Sequence, residues 1–277
     1  MSGALRGFLI LGAEACRDGL RRRFAFVVAV VLLLGLGATE SCTTLEIGAV
    51  SVNDRTLDAH TVSGFLAPFL FTAQALIVVV MAGVLASDHL ARPLAEGTAL
   101  LWLARPIDRG VFAAARLAGA LGVALGAGLV LLLGTGAMLV VRQGLAVGPA
   151  LLGMLGTGLG CVVVAALAML ASLSLGRTAV LLLVVVGVPF VAAANAWALF
   201  SMLIDPQAEI AGISGAMLYF GPPVGFGILG PVAVWNPYVE ETEAGAALLR
   251  LGLWAVGACC LTWLRFRRME LGAGHSD

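Results

Sequence analysis

The chain contains no lysine: all sixteen basic residues among its 277 are arginines. That absence removes whole classes of chemistry. A phosphate-binding GxxxxGK(S/T) loop needs its lysine on the phosphates, so a self-contained P-loop ATPase is excluded. Schiff-base and pyridoxal-phosphate chemistry go with it. Charge of either sign is scarce, at 12% of residues, whereas a soluble domain carries about 25%. So few charges cannot cover a water-facing surface. The three histidines, His60, His89 and His275, fall outside the apolar runs and far apart in sequence. The cysteines, Cys16, Cys42, Cys161, Cys259 and Cys260, make no CxxC pair and give no basis for a disulfide framework or a zinc site. No HExxH and no paired aspartates of a phosphotransferase occur.

Apolar residues are what the chain has in quantity, 61% of the sequence, with a mean hydropathy of +1.05. Apolar runs continue past the ~20 residues that cross a bilayer, and nothing shows the short alternating segments of a barrel. The reading is an all-α integral membrane protein forming a single transmembrane domain over 1–277. Six spans are predicted, at roughly 24–39, 64–87, 111–141, 150–175, 179–203 and 246–266. The first is short and should borrow a turn from a flank. With both termini in the cytoplasm, thirteen arginines fall inside and three, Arg55, Arg142 and Arg250, outside. The arginine bias therefore places both termini inside. Most of the early positive charge follows the first apolar stretch, which is not the layout of a secretory signal.

Between the spans, 39–63 is acidic and polar and should form a small extracytoplasmic cap. Segment 201–245 is apolar, interrupted by Pro222, Pro223, Pro231 and Pro237, and has no basic residue. Its pieces are too short to span, so it is read as re-entrant helices dipping into the outer leaflet, shielded by protein. Residues 1–23 form an amphipathic helix lying on the inner membrane surface, with Leu5, Phe8, Leu9, Gly12, Cys16 and Leu20 on one face. Arg6, Glu14, Arg17, Asp18 and Arg21 lie opposite, and Arg22 and Arg23 lead into the first span. The span cores hold only neutral polar groups such as Gln74, Thr135, Thr157, Ser172, Ser174 and Asn195. Ion-coupled transporters usually keep a titratable partner there, so ion-coupled transport is disfavoured. Arg116 and Arg250 should snorkel from span ends to the interface.

The cytoplasmic segment 88–110 concentrates the remaining charge. Asp88, Glu96 and Asp108 stand against Arg92, Arg105 and Arg109, with Arg116 just beyond. It reads as a short helix from 94 to 105, a proline stop, and a new helix start. Glu96 suits the positive end of the helix dipole, and Gly97 permits close approach of a neighbouring backbone. Leu100, Leu101, Trp102 and Leu103 supply apolar mass, Pro106 ends the helix, and Asp108 caps the next one. A short rigid helix held between two spans can transmit a push.

This arrangement resembles the permease subunits of ABC-2-type ATP-binding-cassette transporters. Glu96, Gly97, Thr98, Leu100, Leu101, Pro106, Arg109, Arg116 and Gly119 stand where that family carries an acidic residue, Gly-Thr, a leucine-rich stretch, proline, a basic residue, then a basic residue and glycine. Arg116 replaces a common lysine and keeps its charge. Glu14, Asp18, Gly19, Leu20, Arg21 and Arg23 are similar to the family's elbow helix. Trp235-Asn236-Pro237 resembles members related to the nitrous-oxide-reductase maturation permease. The resemblance implies a homodimer of permeases, or a pair with a paralogue, in the cytoplasmic membrane, in contact with lipid and not nucleic acid. It implies a separate ATP-binding subunit carrying ATP and Mg, with no cofactor on this chain. The ATPase would seat on a coupling helix through Glu96, Gly97, Thr98, Leu101, Trp102, Arg105, Pro106 and Arg109, and transport would run outward. Rival readings are a non-transporting anchor or scaffold subunit, and a membrane enzyme without familiar motifs.

Overall fold

The computed structural model describes residues 3–20, 25–44, 50–52, 55–57, 59–104, 108–204, 220–236, 239 and 244–269. They are almost wholly helical. Six helices are long and apolar enough to cross a membrane, at Ala25–Thr44, Leu66–Ala95, Arg109–Gln143, Val147–Ser172, Arg177–Ala198 and Ala244–Arg268. The protein is a multi-pass membrane protein by helix length and composition. In chain order, α1 is Gly3–Gly19, α2 is Ala25–Thr44 and α3 is Ala59–Ala95. The six-residue α4, Thr98–Leu103, precedes α5, Arg109–Gln143, and α6, Val147–Ser172. Helix α7, Arg177–Leu182, passes through a π-helical stretch, Leu183–Gly187, into α8, Val188–Ile204. The short α9, Val224–Ala233, and the final α10, Ala244–Arg268, complete the set.

The first span is longer than its apolar run. Helix α2 continues to Thr44 because the hydroxyls of Thr39, Thr43 and Thr44 donate to carbonyls one turn back, Gly35 at 3.0 Å, Thr39 at 2.9 Å and Glu40 at 2.9 Å. Polar residues thus satisfy themselves within the helix, and the span takes its extra turn from the flank after residue 39, as expected. The cap is correspondingly shorter than expected. It contains a small antiparallel hairpin, β1 (Val50–Val52) against β2 (Arg55–Leu57), pairing Val50 with Leu57. The third and fourth spans are separate helices: Gly144, at φ 67°, ends α5 in the left-handed conformation and donates to the Val140 carbonyl at 3.1 Å.

Helix α3 is the hub, packed against α5, α6 and α9. Small residues bring the backbones together. On α6, a Cβ at Gly153 would meet Phe71 and Val232, and one at Gly160 would meet Val79 and Val224 at 3.3 Å. One at Gly156 would overlap the backbone of Gly227 itself. All ten residues of α9 are buried. Ten residues rise about 15 Å, half a bilayer core of ~30 Å, and protein surrounds them as such a short helix requires. Trp235 anchors its end, donating from Nε1 to the Ala146 carbonyl at 2.9 Å and meeting Phe71 edge-on at 5.7 Å. Of the proline-broken segment, 205–219 and Pro237 lie outside the described residues.

Helix α2 has few buried residues, and a polar cluster tethers it. Gln74 Nε2 donates to the Gly35 carbonyl at 2.9 Å and to Thr39 Oγ1 at 2.8 Å, while Thr135 donates to Gln74 Oε1. The three side chains come from α2, α3 and α5 and are all buried. At its far end Arg142 pairs with Glu40 at 2.8 Å. Gln74→Leu is expected to destabilise the protein by about 1–2 kcal/mol, the upper range for hydrogen bonds between membrane helices. A lowered melting temperature in detergent is the expected reading.

Candidate functional site

Along the end of α3, Asp88, Arg92 and Glu96 recur every four residues and so share one face. That face lines a cavity of about 680 Å³ with Glu14, Asp18 and Gly19 of α1, Arg116 of α5 and Arg177 of α7. Val84, Leu85, His89, Pro93 and Thr98 complete its wall. Three ion pairs form within it. Arg177 reaches Asp88 at 2.8 Å, Arg116 reaches Asp18 at 3.4 Å, and Arg92 pairs with Glu96 across one turn. The Arg92–Glu96 pair is about half exposed, so solvent screens it and its contribution is small. Arg116 differs: its side chain is only 5% exposed, and its guanidinium stands 5.4 Å from the Phe112 ring centroid. Two buried atoms here have no hydrogen-bond partner, Glu14 Oε2 and Arg116 Nε.

Burial of Arg116 overturns the snorkelling expectation. Its neighbour in space, Asp18, comes from 98 residues away, and that partner allows a charge to stay inside. Arg250 does not simply snorkel either; it donates to the Gly221 carbonyl at 3.2 Å, just ahead of α9. His89 was expected outside the spans, yet α3 continues helical to Ala95 and buries it.

Helix α1 packs on α5 along the buried Leu11, Ala15 and Gly19, with Gly12 and Cys16 beside them, and leaves Leu5, Leu9 and Leu20 of the expected apolar face free of the protein core. The reason is close approach: a Cβ at Gly119 would come within 2.9 Å of the Gly12 carbonyl oxygen and 3.0 Å of the Cys16 nitrogen. Small residues therefore stand at the closest approach to α5, while Leu5, Leu9 and Leu20 are exposed. Glu14 and Asp18 face the cavity; Arg21, Arg22 and Arg23 lie outside the described residues.

In the expected coupling segment, α4 is shorter than 94–105, running Thr98–Leu103. Gly97 is required for its conformation, φ 72°, and not for close packing, because nothing stands within 4 Å of where a Cβ would be. Thr98 Oγ1 donates to the Pro93 carbonyl at 3.3 Å. Asp108 caps α5 as anticipated, accepting from the Gly110 amide at 2.7 Å. Arg109 lies away from the cavity, donating to the Met269 carbonyl at 2.7 Å at the end of α10. Leu101 and Trp102 fall within α4, but their side chains, like Arg105 and Pro106, lie outside the described set. The cavity thus gathers Glu14, Asp18, Glu96 and Thr98, and does not include Arg109. Arg177 and His89 were missed as site residues, although the four-residue recurrence at 88, 92 and 96 was a legible sign of a charged face.

A second groove, apolar and about 560 Å³, opens between α6 and the α7–α8 segment, with Val164, Ala168, Val184 and Val188 in its wall and Val224 of α9 beside them. The π-helical stretch borders it. Among the described residues no group of three or more His, Cys, Asp or Glu could hold a metal ion. No protein-family model matches the chain, and no curated protein matches it.

Proposed function

We propose that this chain is the permease subunit of an ABC-2-type ATP-binding-cassette transporter, working as a dimer with a separate ATP-binding subunit and exporting its substrate. The observation that carries the reading is the short helix α4, set between the second and third spans, with a tied turn before it and a capped helix after it. Before it, Gly97 makes a left-handed turn and Thr98 ties back to Pro93. After it, Asp108 caps α5 and Arg109 is bonded to the end of α10. A push on α4 would therefore be delivered to α3, α5 and α10 together. The cytoplasmic orientation from the arginine bias puts α1, the elbow, and α4, the coupling helix, on the ATPase side. Helix α9 would be the re-entrant element on the opposite side, and ATP and Mg would be held by the partner.

The test is purification of the tagged chain from its native membrane and a search for a co-purifying P-loop protein. The two are expected to purify as one complex that hydrolyses ATP in lipid, while the chain alone hydrolyses none. Hydrolysis by the isolated polypeptide would defeat the reading. A stable complex whose ATP turnover ignores this chain would favour an anchor subunit instead.

A further inference from the structure

Among the described residues, the cavity beneath α1 is lined by one more carboxylate than guanidinium, with His89 also in its wall. Glu14, Asp18, Asp88 and Glu96 face Arg92, Arg116 and Arg177, and three of the four acids are taken by ion pairs. Glu14 is the acid left over, with Oε2 buried and unbonded. Burying a charged oxygen without a partner is costly, and so is stranding a guanidinium N–H. Arg116 strands one, since its Nε is buried and unbonded in a side chain 5% exposed. The empty valences are therefore one acceptor on an anion and one donor on a cation.

Ligand classes sort themselves against that pair. A purely anionic group would meet a wall with excess negative charge. A metal ion finds no three ligands within reach among the described residues. A zwitterion carrying both an ammonium and a phosphate offers a donor to Glu14 and an acceptor to Arg116. The cavity also lies at headgroup depth. The span Leu66–Ala95 rises about 45 Å, beyond a ~30 Å hydrocarbon core, and the cavity is lined by its last turns. Arg116 sits in the second turn of the next span, and Arg177 is the first residue of another. A volume of about 680 Å³ falls in the usual range of small-ligand sites.

We infer that this cavity binds the headgroup of a zwitterionic phospholipid bearing a primary ammonium, with Glu14 receiving the ammonium and Arg116 the phosphate. The ligand is the lipid of phosphatidylethanolamine type, drawn from the surrounding bilayer. The site does not depend on the transporter reading, because neither α4 nor an ATPase enters the argument.

Native mass spectrometry of the full chain tests it, in detergent micelles doped equally with phosphatidylethanolamine, its N-methyl and N,N-dimethyl derivatives, phosphatidylcholine and phosphatidylglycerol. Retention is expected to be at least about tenfold higher for phosphatidylethanolamine than for phosphatidylcholine, since a quaternary ammonium has no N–H to donate to Glu14, falling stepwise with each methyl group. Glu14→Gln is expected to bring the two lipids within about twofold while melting as the parent does in lipid-free detergent. Free phosphoethanolamine at the same concentration should not displace the lipid; equal displacement would overturn the lipid source. Equal retention of all lipids, preference for phosphatidylglycerol, or a preference untouched by Glu14→Gln would each overturn the proposal. So would a Glu14-dependent capture of a basic protein with no discrimination among lipids.

Discussion

Gly156→Ala is expected to destabilise the protein by about 3 kcal/mol, the upper end of the usual cost of overpacking a core, and to open the α6–α9 contact. A methyl group there overlaps the carbonyl oxygen of Gly227 and comes within 2.7 Å of its carbonyl carbon. The obstacle is backbone, so no rotamer change relieves it. Helix α9 has no freedom to step aside. Its Gly225 already stands where a Cβ would lie 2.6 Å from the Ala192 carbonyl oxygen, and its Gly227 lies close under Leu251. Gly158, two residues along α6, is the internal control, because nothing stands within 4 Å of a Cβ there. Gly158→Ala should leave stability unchanged or raise it by roughly 0.5–1 kcal/mol through helix propensity. Cys161 offers the readout: it is fully buried on α6. In a chain keeping only that cysteine, a thiol-reactive dye should label it at a markedly lower temperature in Gly156→Ala than in Gly158→Ala. Identical melting of the two variants would mean that α9 does not seat on α6.

The second large effect concerns α4 and follows from the proposed function. Trp102→Ala should weaken capture of the ATPase by roughly 30-fold, the equivalent of about 2 kcal/mol for a large apolar anchor in an interface. Glu96→Ala should change capture less than about fivefold, since its pair with Arg92 is half exposed and such pairs contribute little. Its effect is expected in the transport cycle, where the turn at Gly97 must deliver the push. Pull-down and ATP turnover in lipid separate the two. Parent-level binding and turnover for changes at 96, 101, 102 and 105 would remove α4 as the coupling element. Loss of insertion with retained binding would mark Trp102 as an interfacial anchor.

The six spans were legible because apolar runs of that length have one stable solution in a bilayer. The Asp108 cap was legible for a local reason too, since a carboxylate two residues before an open amide is a sequence-level signal. What depended on distant partners was hidden. Arg116 reads as a snorkelling residue until Asp18 is beside it. The buried stripe of α1 could not be chosen from periodicity, because Leu5 and Leu9 are as apolar as Leu11. The choice was made by Gly119, which admits small residues and repels large ones. Gly97 was recognised as special for the wrong reason: sequence does not distinguish a glycine needed for close packing from one needed for its φ. The charges at 88, 92 and 96 were visible, but their enclosure with Glu14 and Arg177 required the packing of α1 and α7 around α3.

Helix α3 connects two things that are otherwise remote. Its 37 residues run unbroken from the hairpin to the charged cavity, a rod of about 55 Å. Pivoted at its middle, a tilt of about 5° moves each tip by roughly 2.4 Å in opposite senses, by the same helix rise. At Asp88, eleven residues from the middle, the same tilt gives roughly 1.4 Å, enough to stretch its 2.8 Å ion pair with Arg177. A tilt of α3 as one piece would therefore register at the hairpin and at the cavity together, in opposite senses.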